Sequence, residues 1–298
     1  MRCFFCGLSQ HGCHIAGLRK SLHRDGRVVG DWALPNIVEH KVDTFGALLA
    51  KVEEFQNGRE QSWYRGTGNS NYSLVPSIGR RQPAMSEVEL SRVEREIANT
   101  FAQRAPPFVE ATFTSEWKTL FFMQHYGIPT RLLDWSESPF VALYFALTSV
   151  KRDVRGKAAN DVAVWSCDPV LWNRTALAHI TFKGGILDEY CEEIKAYSPT
   201  SDLDQRATIP LMIYGTHNSP RIVAQRGVFA LFGKGSDGME VVYKAGSFPH
   251  GSIEKLIIAK DKVDEMLSSL FRKGFAESTI YPDLSGLSLE IKRRFGFY

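Results

Sequence analysis

The sequence predicts an α+β fold: a single domain in which helices pack a mixed or antiparallel sheet. Three observations predict this class. The 298 residues are 44% hydrophobic and 23% charged, which is typical of a globular chain with a substantial core. Helical patterns dominate the first half and strand patterns the second, instead of alternating along the chain. No repeat, low-complexity tract or flexible linker divides residues 40–298.

The helices are predicted from apolar residues three or four positions apart and from end signals. Ser86 and Glu89 have the spacing of a capping box, and Ser138 followed by Pro139 is typical of a helix start. Gly127 and the Pro that follows it at position 129 end the third helix. The helix after Pro139 is apolar on nearly all sides, so we expect it to be buried. The predicted helices cover residues 43–55 (capped by Asp43 or Thr44), 86–101, 115–126, 139–147, 261–273 and 284–294.

The strands are predicted from short apolar or alternating runs bounded by turn residues. Gly227 interrupts one such pattern, which therefore predicts a hairpin of residues 221–225 with residues 228–232. The other predicted strands cover residues 62–66, 72–78, 128–135, 161–165 and 255–259.

The charge balance and the hydropathy argue against two features, a diffuse basic surface and a membrane-spanning helix, and leave a local basic patch possible. Lys and Arg total 36 against 33 Asp and Glu, a net charge of +3, so no diffuse basic surface for nucleic acid or membranes is expected. The longest apolar run, Phe140–Leu147, is far shorter than the ~20 residues of a membrane-spanning helix. We expect a cytoplasmic protein with no membrane partner.

Residues 1–40 predict a poorly ordered N-terminal extension, and residues 41–298 the domain itself. Cys3, Cys6, Cys13 and His14 are residue types that bind zinc. Because Cys13 and His14 are adjacent, they lack the gap that lets two ligands reach one ion, and we predict no metal site. Whether residues 1–36 belong to the mature protein stays open.

The first candidate functional segment is Trp63–Gly66. Arg65 ends an apolar strand, where a guanidinium can grip a phosphate through two hydrogen bonds. Gly66 lets the backbone approach a ligand closely. The alternative is that Arg65 pairs with an internal carboxylate and is purely structural.

The second segment, Gln124–Trp135, is the densest polar and aromatic stretch of the chain. His125 falls at a helix C-terminus, where the helix dipole favours its protonated form. In the functional interpretation Asp134 orients a base or an arginine, and Tyr126 or Trp135 stacks on a ring. In the structural interpretation Arg131 and Asp134 form internal pairs and His125 only satisfies the helix end.

The third segment, Arg221–Phe229, places Gln225 on one face of the predicted hairpin. Its amide offers a donor and an acceptor to a ligand amide or a ribose. The alternative is that Gln225 and Arg226 are the exposed rim of the hairpin.

At these segments the sequence resembles the FRG domain family, which is named for a (Phe/Tyr)-Arg-Gly motif. Tyr64-Arg65-Gly66 corresponds to that motif, and Gln124–Trp135 is similar to the family's central motif. The resemblance extends over roughly residues 42–290. Further similar segments are Ser138–Ala146, Ala224–Phe229 and Thr279–Leu287.

The resemblance implies a bacterial protein encoded near toxin–antitoxin or phage-defence genes, and some FRG proteins look related to ADP-ribosyltransferases. NAD would then be the substrate, with an RNA or protein acceptor and an antitoxin as further partners. The sequence departs from such enzymes in one respect. Their late strand usually carries a glutamate that stabilises the cationic sugar, whereas the corresponding segment here offers Gln225. Asp134 is the residue expected to supply the missing carboxylate.

The resemblance also implies roles for the candidate residues. Arg65 would hold the diphosphate of NAD, and Asp134 with Gln225 would orient the reacting sugar. Two other hypotheses stay open: a non-catalytic nucleotide- or RNA-binding module, and a purely structural role for the motif residues. The remaining roles are ring stacking by Tyr64 or Tyr126, ribose binding by His125 and Thr130, phosphate neutralisation by Arg131, and cofactor binding by Gly66 and Trp135.

Overall fold

The computed structural model describes residues 36–109, 115–216 and 219–297. The described residues all belong to one compact unit. Cys3, Cys6, Cys13 and His14 lie outside the described residues, and so does most of the predicted extension.

A seven-stranded mixed sheet runs through the unit in the order β1-β7-β4-β2-β3-β6-β5. Every neighbouring pair is antiparallel except β1 with β7, which is parallel. The α+β class with a mixed sheet is therefore confirmed. The first strand ends at Lys41, so regular structure begins a few residues before Val42. The strands are β1 (Val38–Lys41), β2 (Trp63–Thr67), β3 (Leu132–Ser136), β4 (Val162–Cys167), β5 (Leu211–Ile213), β6 (Gly227–Leu231) and β7 (Ile253–Ile258).

The helices surround this sheet, and the local signals explain where they begin. Ser86 and Glu89 make both bonds of the capping box, and the Ser138 side chain accepts from the Val141 N–H ahead of Pro139. The α-helices are α1 (Phe45–Gln56), α2 (Glu87–Arg104), α3 (Glu116–His125), α4 (Pro139–Thr148), α5 (Pro169–Ala176), α6 (Pro220–Gln225), α7 (Met239–Ala245), α8 (Val263–Arg272), α9 (Glu277–Ile280) and α10 (Leu284–Phe295). Short 3₁₀ helices cover Ser77–Arg80, Pro106–Phe108, Ala178–Ile180, Glu192–Tyr197, Leu203–Gln205 and Lys260–Lys262.

Helix α4 packs directly beneath β2, as its apolar sequence predicts. Six of its residues are buried. The contact is so close that a Cβ at Gly66 would lie 1.9 Å from the Ala142 carbonyl oxygen. Gly66 is therefore required for packing between the strand and the helix. Helices α1, α4 and α8 share one apolar cluster with Tyr64 and Val164 of the sheet.

Two predicted strands are wrong. Residues 221–225 belong to helix α6, because Ser219 caps a helix that begins at Pro220. Arg226 then adopts a left-handed conformation, with φ of 47°, and β6 starts at Gly227, so no hairpin forms. Residues 72–76 pair with no strand. The Leu74 N–H instead donates to the Glu240 carboxylate at 2.9 Å.

Among the described residues, no helix combines the length and apolar character needed to cross a membrane.

Candidate functional site

Strands β2 and β3 open a gap in the middle of the sheet, and Arg65 fills it. Among the described residues, the two strands pair at one position, Tyr64 with Ser136. The half-buried Arg65 side chain reaches across the gap, and its Nη1 donates to the backbone carbonyl of Asp134. In an uninterrupted β-ladder the Asp134 carbonyl would accept from a backbone N–H of β2. Here it accepts from the cationic Arg65 side chain instead.

The Arg65 guanidinium forms no salt bridge with a carboxylate in the described part of the chain. Burial lowers its pKa to about 10, against the charge of Asp134, while the nearby Arg80 lowers it further. At neutral pH Arg65 is still protonated. The structure therefore holds a partly shielded cation without the carboxylate partner that the structural interpretation requires.

Asp134 is exposed, and a chain of hydrogen bonds orients it. The Thr130 hydroxyl oxygen accepts from the Leu132 N–H at 3.0 Å. The hydrogen of the same hydroxyl is donated to Gln124 Oε1 at 2.5 Å. The Gln124 amide in turn donates through Nε2 to Asp134 Oδ1 at 2.7 Å. Every donor in this relay points toward Asp134. Within the described residues no hydrogen bond to the second carboxylate oxygen is formed, so that oxygen is available to a ligand.

The 3₁₀ helix Ser77–Arg80 brings a second arginine to the site. Ser77 Oγ accepts from the Thr130 N–H at 3.1 Å, and the Ile78 N–H donates to the Thr130 carbonyl at 3.2 Å. The exposed Arg80 is anchored by its Nε and Nη2, which donate to the Val75 carbonyl at 3.0 and 2.9 Å. Sequence reasoning missed this role of Arg80, because only the fold brings residues 77–80 against Thr130.

A second polar group lies at the C-terminal end of α3. His125 Nδ1 is 3.3 Å from Ser219 Oγ, and the exposed ring of Tyr126 is 4.8 Å from the imidazole. Burial, followed by the positive charge of Arg221, lowers the pKa of His125. Both effects oppose the helix dipole, which by itself favours the protonated form.

Arg131 lies apart from this site, in a buried triad. Its Nε and Nη2 donate to the Glu94 carboxylate at 2.5 and 2.9 Å, and Arg206 Nη1 donates to the same carboxylate at 3.2 Å. A cavity of about 10 Å³, enough for one water, adjoins the triad. Arg131 therefore fits the structural interpretation, in which it pairs with an internal carboxylate.

Three other candidate residues are buried or already hydrogen-bonded within the domain. Tyr64 is fully buried and Trp135 is 3% exposed, so neither presents a ring face to a ligand. Gln225 ends helix α6, and its Nε2 donates to the Ile280 carbonyl at 3.2 Å. The structure therefore brings together Arg65, Thr130 and Asp134, with Gln124 and Arg80 as additions.

Tryptophans surround Arg65 within the sheet. Trp165 is its direct partner on β4, Trp63 precedes it by two positions on β2, and Trp135 lies next to Ser136 on β3. Each indole N–H is buried and has no hydrogen-bond partner in the described part of the chain. This apolar surrounding explains how burial lowers the pKa of Arg65.

Comparison with known proteins identifies the domain that holds this site. Residues 60–155 match the model of the FRG domain, so the chain carries an FRG domain. Arg65, Arg80, Gln124, Thr130 and Asp134 all lie inside the matched segment. No curated protein and no solved structure matches the chain.

Proposed function

We propose that the chain binds the diphosphate of NAD at Arg65 and Arg80 and cleaves its nicotinamide–ribose bond, as an ADP-ribosyltransferase-like enzyme. One observation carries this proposal: a half-buried arginine without a carboxylate partner lies beside an exposed, oriented carboxylate. The two groups suit the two ends of the reacting part of NAD, an anionic diphosphate and a sugar that becomes cationic.

The anion-binding half rests on the placement of Arg65 and Arg80. A guanidinium offers planar pairs of donors that match phosphate oxygens, and an apolar surrounding strengthens the attraction. The net charge of the chain is only +3, so two placed arginines and no diffuse basic surface supply the attraction.

The catalytic half rests on Asp134. The C1′–N bond of NAD breaks with its electron pair leaving on nicotinamide, and positive charge develops on the ribose. The Asp134 carboxylate stabilises that charge, and the Gln124 relay holds it in position. A hydroxyl or other nucleophile of the acceptor, or water, then bonds to C1′ and loses its proton.

The family resemblance supports a role for this activity as a toxin or phage-defence effector in the bacterial cytoplasm. The acceptor would be an RNA or a protein, and an antitoxin would restrain the activity. These partners belong to the proposal and follow from the resemblance.

A non-catalytic nucleotide- or RNA-binding module is the second candidate. The position of Gln225 favours it: the side chain is tied to the Ile280 carbonyl on helix α9 and is not a strand residue facing Asp134. Asp134 would then have no second side chain at the reacting sugar, and the arginines would still bind a phosphate.

The experiment measures nicotinamide release from NAD by the full chain, and transfer of labelled ADP-ribose to RNA and to protein. We expect turnover that Arg65→Ala and Asp134→Asn each reduce at least tenfold. Arg81→Ala is the matched control, because Arg81 is exposed next to Arg80 and bonds Met85 instead. Calorimetry separates the two candidates: NAD bound without turnover supports the module, and neither binding nor turnover overturns both.

A further inference from the structure

Helix α10 packs on the domain through its polar side. Arg293 Nε donates to both Glu277 carboxylate oxygens, at 2.8 and 3.0 Å, and Glu290 accepts from the Ser278 hydroxyl. Gly286 allows the close approach, since a Cβ there would lie 2.0 Å from the Tyr281 carbonyl oxygen. The inward face of α10 is thus made of charged groups and a glycine.

The outward side of α10 is apolar. Leu284, Leu287, Ile291 and Phe295 are 83%, 44%, 48% and 67% exposed. At about 100° per residue these positions fall within an arc of about 80° and form one stripe along the helix. A continuous exposed apolar stripe is typical of an interaction surface. We call these four residues the α10 stripe.

Two charges of opposite sign lie on the same flank of the α10 stripe, at opposite ends of the helix. Asp283 caps the N-terminus through one carboxylate oxygen, which accepts from the Gly286 N–H at 2.8 Å. Arg294 lies in the last turn. Neither residue forms a salt bridge in the described part of the chain, although Arg294 lies 5.9 Å from the Phe295 ring.

We propose that α10 pairs antiparallel with α10 of a second copy of this chain. The α10 stripe is complementary to itself in that arrangement: Leu287 of each copy meets Ile291 of the other, and Leu284 meets Phe295. Asp283 of each copy then lies beside Arg294 of the other. A parallel pair would instead bring the basic ends of both helices together, with Lys292 of each copy near Arg294 of the other, which is repulsive.

The size of the surface sets the strength of the pairing. Twelve residues at 1.5 Å each make a helix about 18 Å long, so the pair buries less than the roughly 1,600 Å² of a standard interface. The dimer is therefore weak and depends on concentration.

Sedimentation equilibrium of the full chain across a range of concentrations tests the pairing. We expect reversible dimerisation that Leu287→Asp and Ile291→Asp each weaken at least tenfold. Leu289→Asp is the matched control, because Leu289 is 49% exposed on the same helix but lies off the α10 stripe. Arg294→Glu weakens the dimer, whereas Lys292→Glu, which faces a serine in the antiparallel register, leaves it unchanged.

Four results would overturn the proposal, three of them in the sedimentation experiment. The chain stays monomeric at all concentrations, or Leu289→Asp weakens the dimer as much as Leu287→Asp does, or Lys292→Glu and Arg294→Glu strengthen it equally. The last result indicates a parallel pair. Circular dichroism of each variant confirms that α10 remains folded. Binding of the monomer to vesicles of anionic phospholipid, abolished by Leu287→Asp, would assign the α10 stripe to a membrane surface instead.

Discussion

At the scale of single residues, the site depends on which partners the arginine side chains already have. Arg131 and Arg65 look alike in the sequence, as arginines in apolar strands beside a small or polar residue. The Arg131 guanidinium donates to the Glu94 carboxylate, whereas the Arg65 guanidinium donates to a single backbone carbonyl. Of these two arginines, Arg65 is therefore the one that can bind a phosphate without first breaking an internal salt bridge.

Gln124 is a positioning residue for Asp134 in the proposed reaction. Gln124→Met removes the amide that donates to Asp134 Oδ1 and lets the carboxylate rotate. We expect kcat for NAD cleavage to fall about 10- to 100-fold, because small misplacements of reacting groups cost that much, while Kd for NAD changes less than threefold. Steady-state kinetics and calorimetry measure both quantities.

Gln103→Met on the exposed side of α2 is the control for this change. A variant that loses NAD affinity but keeps kcat would contradict the positioning role, because it would show that Gln124 contacts the substrate directly.

The buried triad predicts a large stability effect. Glu94→Ala leaves Arg131 and Arg206 buried without their shared carboxylate, and we expect the free energy of unfolding to fall by about 3–5 kcal/mol. Glu96→Ala, two positions later, breaks only an exposed pair with Arg92 and should cost less than about 1 kcal/mol. Urea denaturation compares the two variants. Equal losses would show that the triad contributes no more than a surface pair.

At the scale of elements, strand β2 is held between a helix and two strands with no space to spare. Gly66→Ala places a methyl group against the Ala142 carbonyl of α4. We expect a loss of roughly 3 kcal/mol of stability, since the backbone of a buried helix cannot yield cheaply. Thermal unfolding measures this loss. Gly79→Ala is the control, because nothing lies within 4 Å of a Cβ there.

Helix signals in the sequence predicted the structure better than strand signals did. The capping box at Ser86 and the Ser138–Pro139 start depend on neighbouring residues only, so they were recognisable and are confirmed. Residues 221–225 were misassigned because their apolar alternation fits a strand, although Ser219–Pro220 carries the same start signal as Ser138–Pro139. The local cap outweighs the alternation over so short a segment.

The site was predictable only in part for a related reason. Arg65 and Asp134 could be proposed from the sequence because strand position and residue type both indicated a ligand, and they stay a prediction. The Gln124 relay joins side chains within one segment, but which of them bond depends on how the chain turns between helix α3 and strand β3. Arg80 was missed because its position arises from contacts between segments about 50 residues apart, such as Ser77 with Thr130. No pattern within one segment records such a contact.

At the scale of the whole molecule, the near-zero charge balance bears on how the chain binds anions, through a few placed arginines or through a broad basic surface. A surface that neutralises many phosphates releases many counterions, so its affinity falls steeply with salt. With a net charge of +3 and two arginines at the site, this chain should release few.

We therefore expect the affinity for NAD to depend weakly on salt, with a slope of log K against log salt concentration of about −2 or shallower. Calorimetric titrations between 50 and 200 mM salt, roughly the range over which multi-phosphate binders lose most of their affinity, measure the slope. Arg80→Ala should make it shallower by about one unit, and Arg81→Ala should not change it. An RNA could instead bind with a slope near −6, and Lys292 and Arg294 would then be needed for that steep dependence. Such a result would indicate an extended phosphate-binding surface and would favour the RNA-binding module.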